Sequence, residues 1–349
     1  MSIELTPHAS LGAHRHNVVC VIVTYGDRRA MLLQVLDSLP SQGIKRIVVV
    51  NNGAHWPVRN ELVSRYRDFV DVVELPRNSG SAAGYAAGIR RALELGEDYV
   101  WLLDDDNRPT VSCLAALLGA YDRLRIDTDV TRLGVVAFRS HCQAQRYMAT
   151  GSPQSRINGR SSSFLGFHVL DIPVKMWRRT PWGKNSSKER LLAWAPLTFA
   201  PYSGFLFHRE AANTIGLPRE DFVLYADDKE YTHRITLAGG SIALVTGAVV
   251  EDLEASWNVQ ANGGSSFHGV LRQGSDFRAY YSARNGAYFS AYCSAKSPVL
   301  LKINYCIYVG ILSTLARLGG HLDRYQLLRD AYRNGLSGRL GEDARFPLS

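Results

Sequence analysis

Three consecutive aspartates, Asp104, Asp105 and Asp106, follow the apolar run DYVWLL and are the strongest chemical signal in the chain. Side chains alternate along an extended segment, so Asp104 and Asp106 converge while Asp105 points the other way. Converging carboxylates repel each other unless a cation lies between them. Hard oxygen donors with open coordination positions suit Mg²⁺ or Mn²⁺ carrying a diphosphate. A solvated acidic turn capping the helix expected from about Thr110 is the alternative, since aspartates are favoured there. A position at the end of a buried strand weighs toward the metal.

A second acidic group, Asp227, Asp228 and Glu230, opens a helix in LYADDKEYTHRI. Capping accounts for one carboxylate, and Glu230 can pair with Arg234 one turn on. That leaves one acid, most simply Asp228, as a general base. Asn78, Gly80 and Gly84 in PRNSGSAAGYAAGI precede a helix of small residues, where bare backbone can approach a phosphate. Tight helix packing explains the same glycines. The first strand ends in TYGDRR, without the G-x-G-x-x-G of a dinucleotide site. Asp252 or His268 could add a metal ligand, and RAYYSARN, with Arg278, Arg284 and Asn285, suits either a phosphate or sugar contact or ordinary helix packing.

The elements that must carry these groups are legible from periodicity. From Asn17 to about Asp106, the short β-branched runs VVCVIVT, RIVVV, VDVVEL and DYVWLL alternate with helical patterns at about Met31 to Leu39, Glu61 to Tyr66 and Ser81 to Leu95. Such alternation reads as βαβ units feeding a parallel sheet, with ligands at the carboxyl ends of the strands. Those ends are TYGD, NNG, RNSG and DDD. A helix at about Thr110 to Leu124 and a strand at Leu133 to Phe138 follow. The pattern loosens over residues 140 to 200, including a basic aromatic loop at 175–190 with six cations and one acid. A strand running into a helix in SGFLFHREAANTIG, the helix from Asp227 to Gly239 and the strand SIALVTG restore order.

Apolar residues make up 46% of the 349, enough for a sizeable core, which excludes a disordered or disulfide-stapled chain. The 40 basic and 32 acidic side chains leave +8, and +6 of it follows Ser256, so an anionic partner is expected: nucleic acid, lipid or a phosphorylated substrate. Five scattered cysteines without a C-x-x-C pair imply a reducing compartment and no structural zinc. The N-terminal residues carry no secretory pattern, which points to the cytoplasm. Ile303 to Ala316 is fourteen residues without a charge, between Lys302 and Arg317. That is short of the about 20 needed to span a bilayer, and two roles remain: a helix lying in the membrane interface, or one buried against the main domain.

In combination and order, VIVTYGDRRAMLLQVLDSL, VVVNNG, LPRNSGSAAGYAAGIRRALELGEDYVWLLDDDNRP and the later SGFLFHRE and YADDKEYTHRITLAGG resemble the family 2 inverting glycosyltransferases of the GT-A fold, in the branch of bacterial galactofuranosyl- and rhamnosyltransferases. The resemblance covers about residues 17–255. It implies an α/β GT-A fold with a Rossmann-like, mostly parallel sheet flanked by helices. A tail (1–16) would precede a nucleotide-sugar half (17–110) and an acceptor half (111–255), and a basic helical region (256–349) would follow. The resemblance further implies that Thr24, Tyr25 and Asn52 line the base and ribose pocket and that Asn78, Gly80 and Gly84 lie along the nucleotide sugar, with Asp104 and Asp105 at the same site. Asp104 and Asp106 would hold Mn²⁺ or Mg²⁺, and Asp228 would be the catalytic base. Related galactofuranosyltransferases place a metal-binding histidine about 24 residues beyond the base. Asp252 stands there, with His268 the other candidate third ligand.

The expected donor is a UDP-sugar, UDP-galactofuranose first and dTDP-rhamnose as the alternative. The expected acceptor is a glycan or lipid-linked glycan in cell-surface polysaccharide synthesis, with the enzyme peripheral on an anionic, cytoplasmic membrane face. A sugar nucleotidyltransferase would need a glycine-rich basic loop where TYGDRR stands. Nucleic acid is not expected as a partner, because the triple aspartate repels phosphate unless a metal intervenes.

Overall fold

The computed structural model describes residues 16–153, 155, 159–178, 180, 190–254 and 266–348. The tail preceding His16 and most of the 175–190 basic loop lie outside the described residues. In chain order the elements are β1 (Val18–Gly26), α1 (Arg29–Ser38), β2 (Arg46–Ala54), α2 (Val58–Tyr66), β3 (Val70–Glu74), α3 (Gly80–Leu95), β4 (Tyr99–Asp104), β5 (Asn107–Pro109), α4 (Cys113–Leu124), β6 (Leu133–Phe138), α5 (Gln143–Ala149) and α6 (Ile172–Arg178). They continue with β7 (Trp194–Leu197), β8 (Phe205–His208), α7 (Arg209–Ile215), α8 (Asp227–Leu237), β9 (Ser241–Asp252), α9 (Ser266–Arg272), α10 (Asp276–Tyr288), α11 (Pro298–Gly319) and α12 (Leu322–Leu336).

One sheet carries the domain, in the order β3-β2-β1-β4-β8-β6-β9-β5, with β7 also on β9. The strands β3, β2, β1 and β4 run parallel, as their βαβ alternation requires. Beyond β4 the sheet is mixed: β8 is antiparallel to both β4 and β6, and β9 returns parallel to β6. The parallel expectation therefore holds for the first half of the domain. In the second half, β8 runs against both of its neighbours.

Continuous runs such as VVCVIVT become central strands because both faces of the sheet are covered. Cys20 and Ile22 pack toward α1, α2 and α4, whereas Val19, Val21 and Val23 pack toward α3, α7 and α8. The small residues of α3 have a packing role. A Cβ on Gly84 would stand 2.6 Å from Val23 Cγ1, and one on Gly88 would collide with Val21 Cγ1.

The helices α9 to α12 form a third core with Phe164 and Val223, centred on Tyr280, Tyr281, Tyr308 and Tyr332. The uncharged run of residues 303–316 sits inside a 22-residue helix, α11. That is longer than the run itself, and α11 is long and apolar enough by length and composition to cross a membrane. One stripe of it, Leu301, Asn304, Tyr308, Leu312 and Ala316, is buried against the domain, while Val299, Ile303 and Leu318 on other faces are exposed. Of the two roles open at the sequence level, the packing one is observed: the buried stripe lies in the third core.

Adding one methyl at Gly88 should overpack the α3–sheet interface, because the β-branched Val21 has little rotamer freedom to yield. Gly88→Ala is expected to lower unfolding free energy by about 1–3 kcal/mol in urea titrations; an unchanged midpoint would show that α3 can lift off the sheet.

Candidate active site

A cleft runs along the carboxyl ends of β1, β2 and β4. Its first lobe, about 650 Å³, is lined by Tyr25, Arg28, Asn52, Asn78, Gly80 and the three aspartates. The second, about 640 Å³, is lined by Asp227, Asp228, Lys229, Phe199, Tyr202 and residues of α10. Ser81, Tyr85, Asp104, Arg139 and Tyr225 belong to both lobes, which makes them one continuous site. Each lobe falls in the size range of small-molecule sites.

The strand ends at Asp104, and Asp105 and Asp106 lie in the turn to β5. Asp104 accepts the Tyr85 hydroxyl at 2.5 Å and the Ser203 hydroxyl. Asp105 turns inward, is buried, and takes the Thr24 hydroxyl at 2.9 Å and Arg28 Nε at 2.7 Å. Arg28 also binds Asp106 at 2.8 Å and Glu254 at 2.9 Å, so one guanidinium bridges three carboxylates. Burial pushes the Asp105 carboxyl up to about 7 despite Arg28. Burial, followed by the charge of Asp104, pushes Asp106 up to about 6. Sequence reasoning passes over Arg28, although it stands two residues past the first strand end.

Two expected residues stand behind the cleft rather than lining it. Thr24 is buried against Asp105, and Gly84 faces Val23 instead of a ligand. Asn52 organises the turn before α3: its amide donates to Gly80 O at 3.1 Å, and its carbonyl accepts Ser79 N at 2.8 Å. Asn78 accepts Gly80 N at 3.1 Å. Tyr25 is 44% exposed at the mouth of the cleft, with the Arg28 guanidinium 5.3 Å from its ring centroid.

Asp252, the expected third ligand, has both oxygens engaged by Arg139, at 2.9 Å and 2.7 Å, and also accepts Asn107 Nδ2 at 2.9 Å. His268 is exposed on α9 and is not among the residues lining either lobe. Among the described residues, no group of three or more His, Cys, Asp or Glu side chains is arranged to hold a metal. Asp104 and Asp106 nevertheless fit a hard divalent cation. They offer oxygen donors to the cleft, and the raised Asp106 carboxyl marks negative charge that a cation would relieve. Arg139, at the end of β6, was discoverable by the strand-end rule but stands out in no motif.

The second acidic group is presented by a strained loop. Val223, Tyr225 and Ala226 have φ of 68°, 67° and 60°, conformations that cost non-glycine residues about 1–3 kcal/mol each. The buried Asn285 amide donates to Phe222 O, Leu224 O and Tyr225 O at 2.7, 2.8 and 2.9 Å, and Arg284 donates to Phe222 O at 3.2 Å. These two residues of RAYYSARN therefore hold the loop, while Arg278 lines the first lobe. Asp227 is buried and accepts the Ser81 hydroxyl at 3.0 Å; Asp228 is half-buried and lines the second lobe. Burial raises both carboxyls, the Asp228 charge adding to the effect at Asp227, while Lys229 partly offsets it at Asp228. Glu230 is spent on Arg234, at 2.9 and 2.6 Å, as its spacing predicts.

The sequence model of glycosyl transferase family 2 matches residues 19–216, a span that holds the three aspartates and most of the residues lining the first lobe. The chain belongs to glycosyl transferase family 2. It is 29% identical over 228 residues to the galactofuranosyltransferase GlfT1 of Mycolicibacterium smegmatis and 37% identical over 226 residues to that of Mycobacterium tuberculosis. Each match covers 64% of this chain and 66% of the relative, just under two thirds of its length. Among solved structures it is similar to Staphylococcus aureus TarS in complex with UDP-GlcNAc, with a TM-score of 0.51 at 13% identity over 92% of this chain and 81% of that one. It is also similar to GalNAc-T7 with UDP, GalNAc and Mn²⁺, with a TM-score of 0.50 at 14% identity over 92% and 56%. These likenesses identify the GT-A fold of a family 2 glycosyltransferase.

Removing the clamp on the loop tests its role. Asn285→Ala leaves the Leu224 and Tyr225 carbonyls without their side-chain donor, while Phe222 O keeps Arg284, and is expected to cost about 2–3 kcal/mol in urea unfolding. A loss under 0.5 kcal/mol would mean that the loop keeps its shape unaided.

Proposed function

We propose that this family 2 glycosyltransferase transfers galactofuranose, with inversion, from UDP-galactofuranose to a hydroxyl of a glycan or lipid-linked glycan. The observation that carries this reading is the continuity of the cleft: Asp104 and Asp106 at strand ends share walls with Asp228 at the start of α8. The two GlfT1 relatives support galactofuranose as the sugar.

In this reading the first lobe takes the nucleoside diphosphate and the second takes the acceptor. Asp104 and Asp106 would hold Mn²⁺ or Mg²⁺, which supplies neutralisation of the departing diphosphate. Arg28 and Arg139 add fixed positive charge on the same side. Asp228 takes the proton of the acceptor hydroxyl as that oxygen bonds to the anomeric carbon. The bond from that carbon to the phosphate oxygen breaks on the opposite face, releasing UDP. The raised carboxyl makes Asp228 a better proton acceptor than an ordinary aspartate.

Release of nucleoside diphosphate from a panel of UDP-, dTDP- and GDP-sugars with Mn²⁺ tests the reading. UDP-galactofuranose should be turned over, and Asp228→Asn should reduce turnover roughly 10²- to 10⁴-fold. Because Asp228 must be ionised to act, the wild-type rate should fall as pH drops through a value above 3.8, the ordinary aspartate position. Turnover of dTDP-rhamnose alone would replace the sugar, and turnover of no donor would reject the proposal.

The same reading rests the enzyme peripherally on an anionic, cytoplasmic membrane face through α11. Exposed Val299, Ile303 and Leu318 lie among Lys296, Lys302 and Arg317, a composition that suits an acidic lipid surface. The protein should sediment with phosphatidylglycerol vesicles and not with phosphatidylcholine vesicles, and Ile303→Asp together with Leu318→Asp should abolish binding. Equal recovery with both lipids would remove the charge argument.

A further inference from the structure

The segment 341–348, which follows α12, crosses back over the molecule to the first lobe of the cleft. Its near end is fixed firmly: Gly341 N donates to Asp221 O at 2.7 Å, and Gly341 O accepts from the buried Arg284, the guanidinium that also binds the strained loop at Phe222 O. Its middle closes into a hook. Asp343 and Phe346 bridge each other, and the Tyr281 hydroxyl accepts Asp343 N and donates to Phe346 O, both at 3.0 Å. The Arg345 guanidinium pairs with Asp343 at 2.9 Å and lies 4.9 Å from the Tyr280 ring centroid.

The far end is held differently. Glu342 pairs with Arg77 at 2.8 Å and accepts Leu348 N at 3.1 Å. Arg77 is 65% exposed, so this pair is screened by water and salt and contributes little on its own. Yet Arg77 directly precedes Asn78, whose turn shapes the first lobe, and Leu348 lines that lobe beside Phe277, Leu224 and Tyr225. With 341 fixed by Arg284 and 343–346 by Tyr281, only the bond to Glu342 and its exposed pair with Arg77 hold residue 348 by polar contacts among the described residues, so the strap can open at its last residues.

We infer that residues 341–348 form a strap closing one wall of the nucleotide lobe, with Leu348 packing on the nucleoside and the Arg77–Glu342 pair as its latch. The inference rests on the donor assignment proposed above. The strap sets how tightly the nucleoside diphosphate is held and how fast it leaves. It takes no part in proton transfer, because none of its residues lines the second lobe.

UDP itself is the probe, titrated by calorimetry with Mn²⁺ present, with dissociation followed by stopped-flow fluorescence. Leu348→Asp should weaken UDP roughly five- to tenfold, and Leu348→Met should restore it, since the contact is apolar. Glu342→Gln should speed UDP dissociation at low salt, and high salt should bring the wild type to the same rate. Melting temperatures matching the wild type would tie these losses to the lobe rather than to unfolding. If Leu348→Asp and Glu342→Gln both bind and release UDP as the wild type does, the strap is overturned while the donor assignment stands. If the wild type binds neither UDP nor dTDP, the donor assignment fails and takes the strap with it.

Discussion

The grip of one buried amide on three carbonyls is the constraint on which the site depends. Asn285 sits on α10, far along the chain from the β-strands, and satisfies the carbonyls of Phe222, Leu224 and Tyr225 as the backbone passes through left-handed conformations. Without those bonds, the unfavourable φ values of Val223, Tyr225 and Ala226 would relax and the start of α8 would move. The fit extends to the neighbouring helix. Gly80, itself at φ 85°, has no Cβ because Val223 O occupies that space, so the loop and the N-terminus of α3 are locked together. The helical region is thus a structural part of the catalytic domain, and α10 fixes where the two acids enter the cleft.

Charge is arranged around that frame with little slack. Acids from three stretches of the sequence meet at the cleft, and burial raises Asp105, Asp106, Asp227 and Asp228 above ordinary aspartates. Arg28 and Arg139 offset part of this repulsion, each with a bidentate or multiple grip that keeps the guanidinium in one orientation. A buried ion pair of this kind is weak evidence for stability, because desolvation cancels much of the attraction. Its value is in preorganisation: each guanidinium holds its carboxylates in one orientation on the cleft wall.

Much of the first half of the fold was legible because each element there is dictated locally. VVCVIVT, RIVVV and DYVWLL are strands for lack of any other way to bury continuous β-branched runs, and the helix from Gly80 to Leu95 follows from its alanines and leucines. The antiparallel half was less legible. WAPL is only four residues, too short to carry a period, and FLFH, legible as a strand, carries no sign of its antiparallel direction. At the site, the three aspartates and the ADD pair were visible as types at strand and helix ends. The inward turn of Asp105, the packing role of Gly84 and the capture of Asp252 by Arg139 were not, because each depends on a residue distant in sequence.

The sequence by itself determined which chemical groups are present and roughly where each stands on its own element, since strand ends, helix starts and i,i+4 pairs such as Glu230 and Arg234 follow from local periodicity. Only the tertiary structure decided which of them face one another. Arg28 reaches Asp105 across 77 positions and Arg77 reaches Glu342 across 265, and no propensity along the chain encodes contacts between groups so far apart. The physical reason is that orientation at the site is set by buried hydrogen bonds between separate elements. Those bonds exist only once the sheet has brought the elements to a common edge.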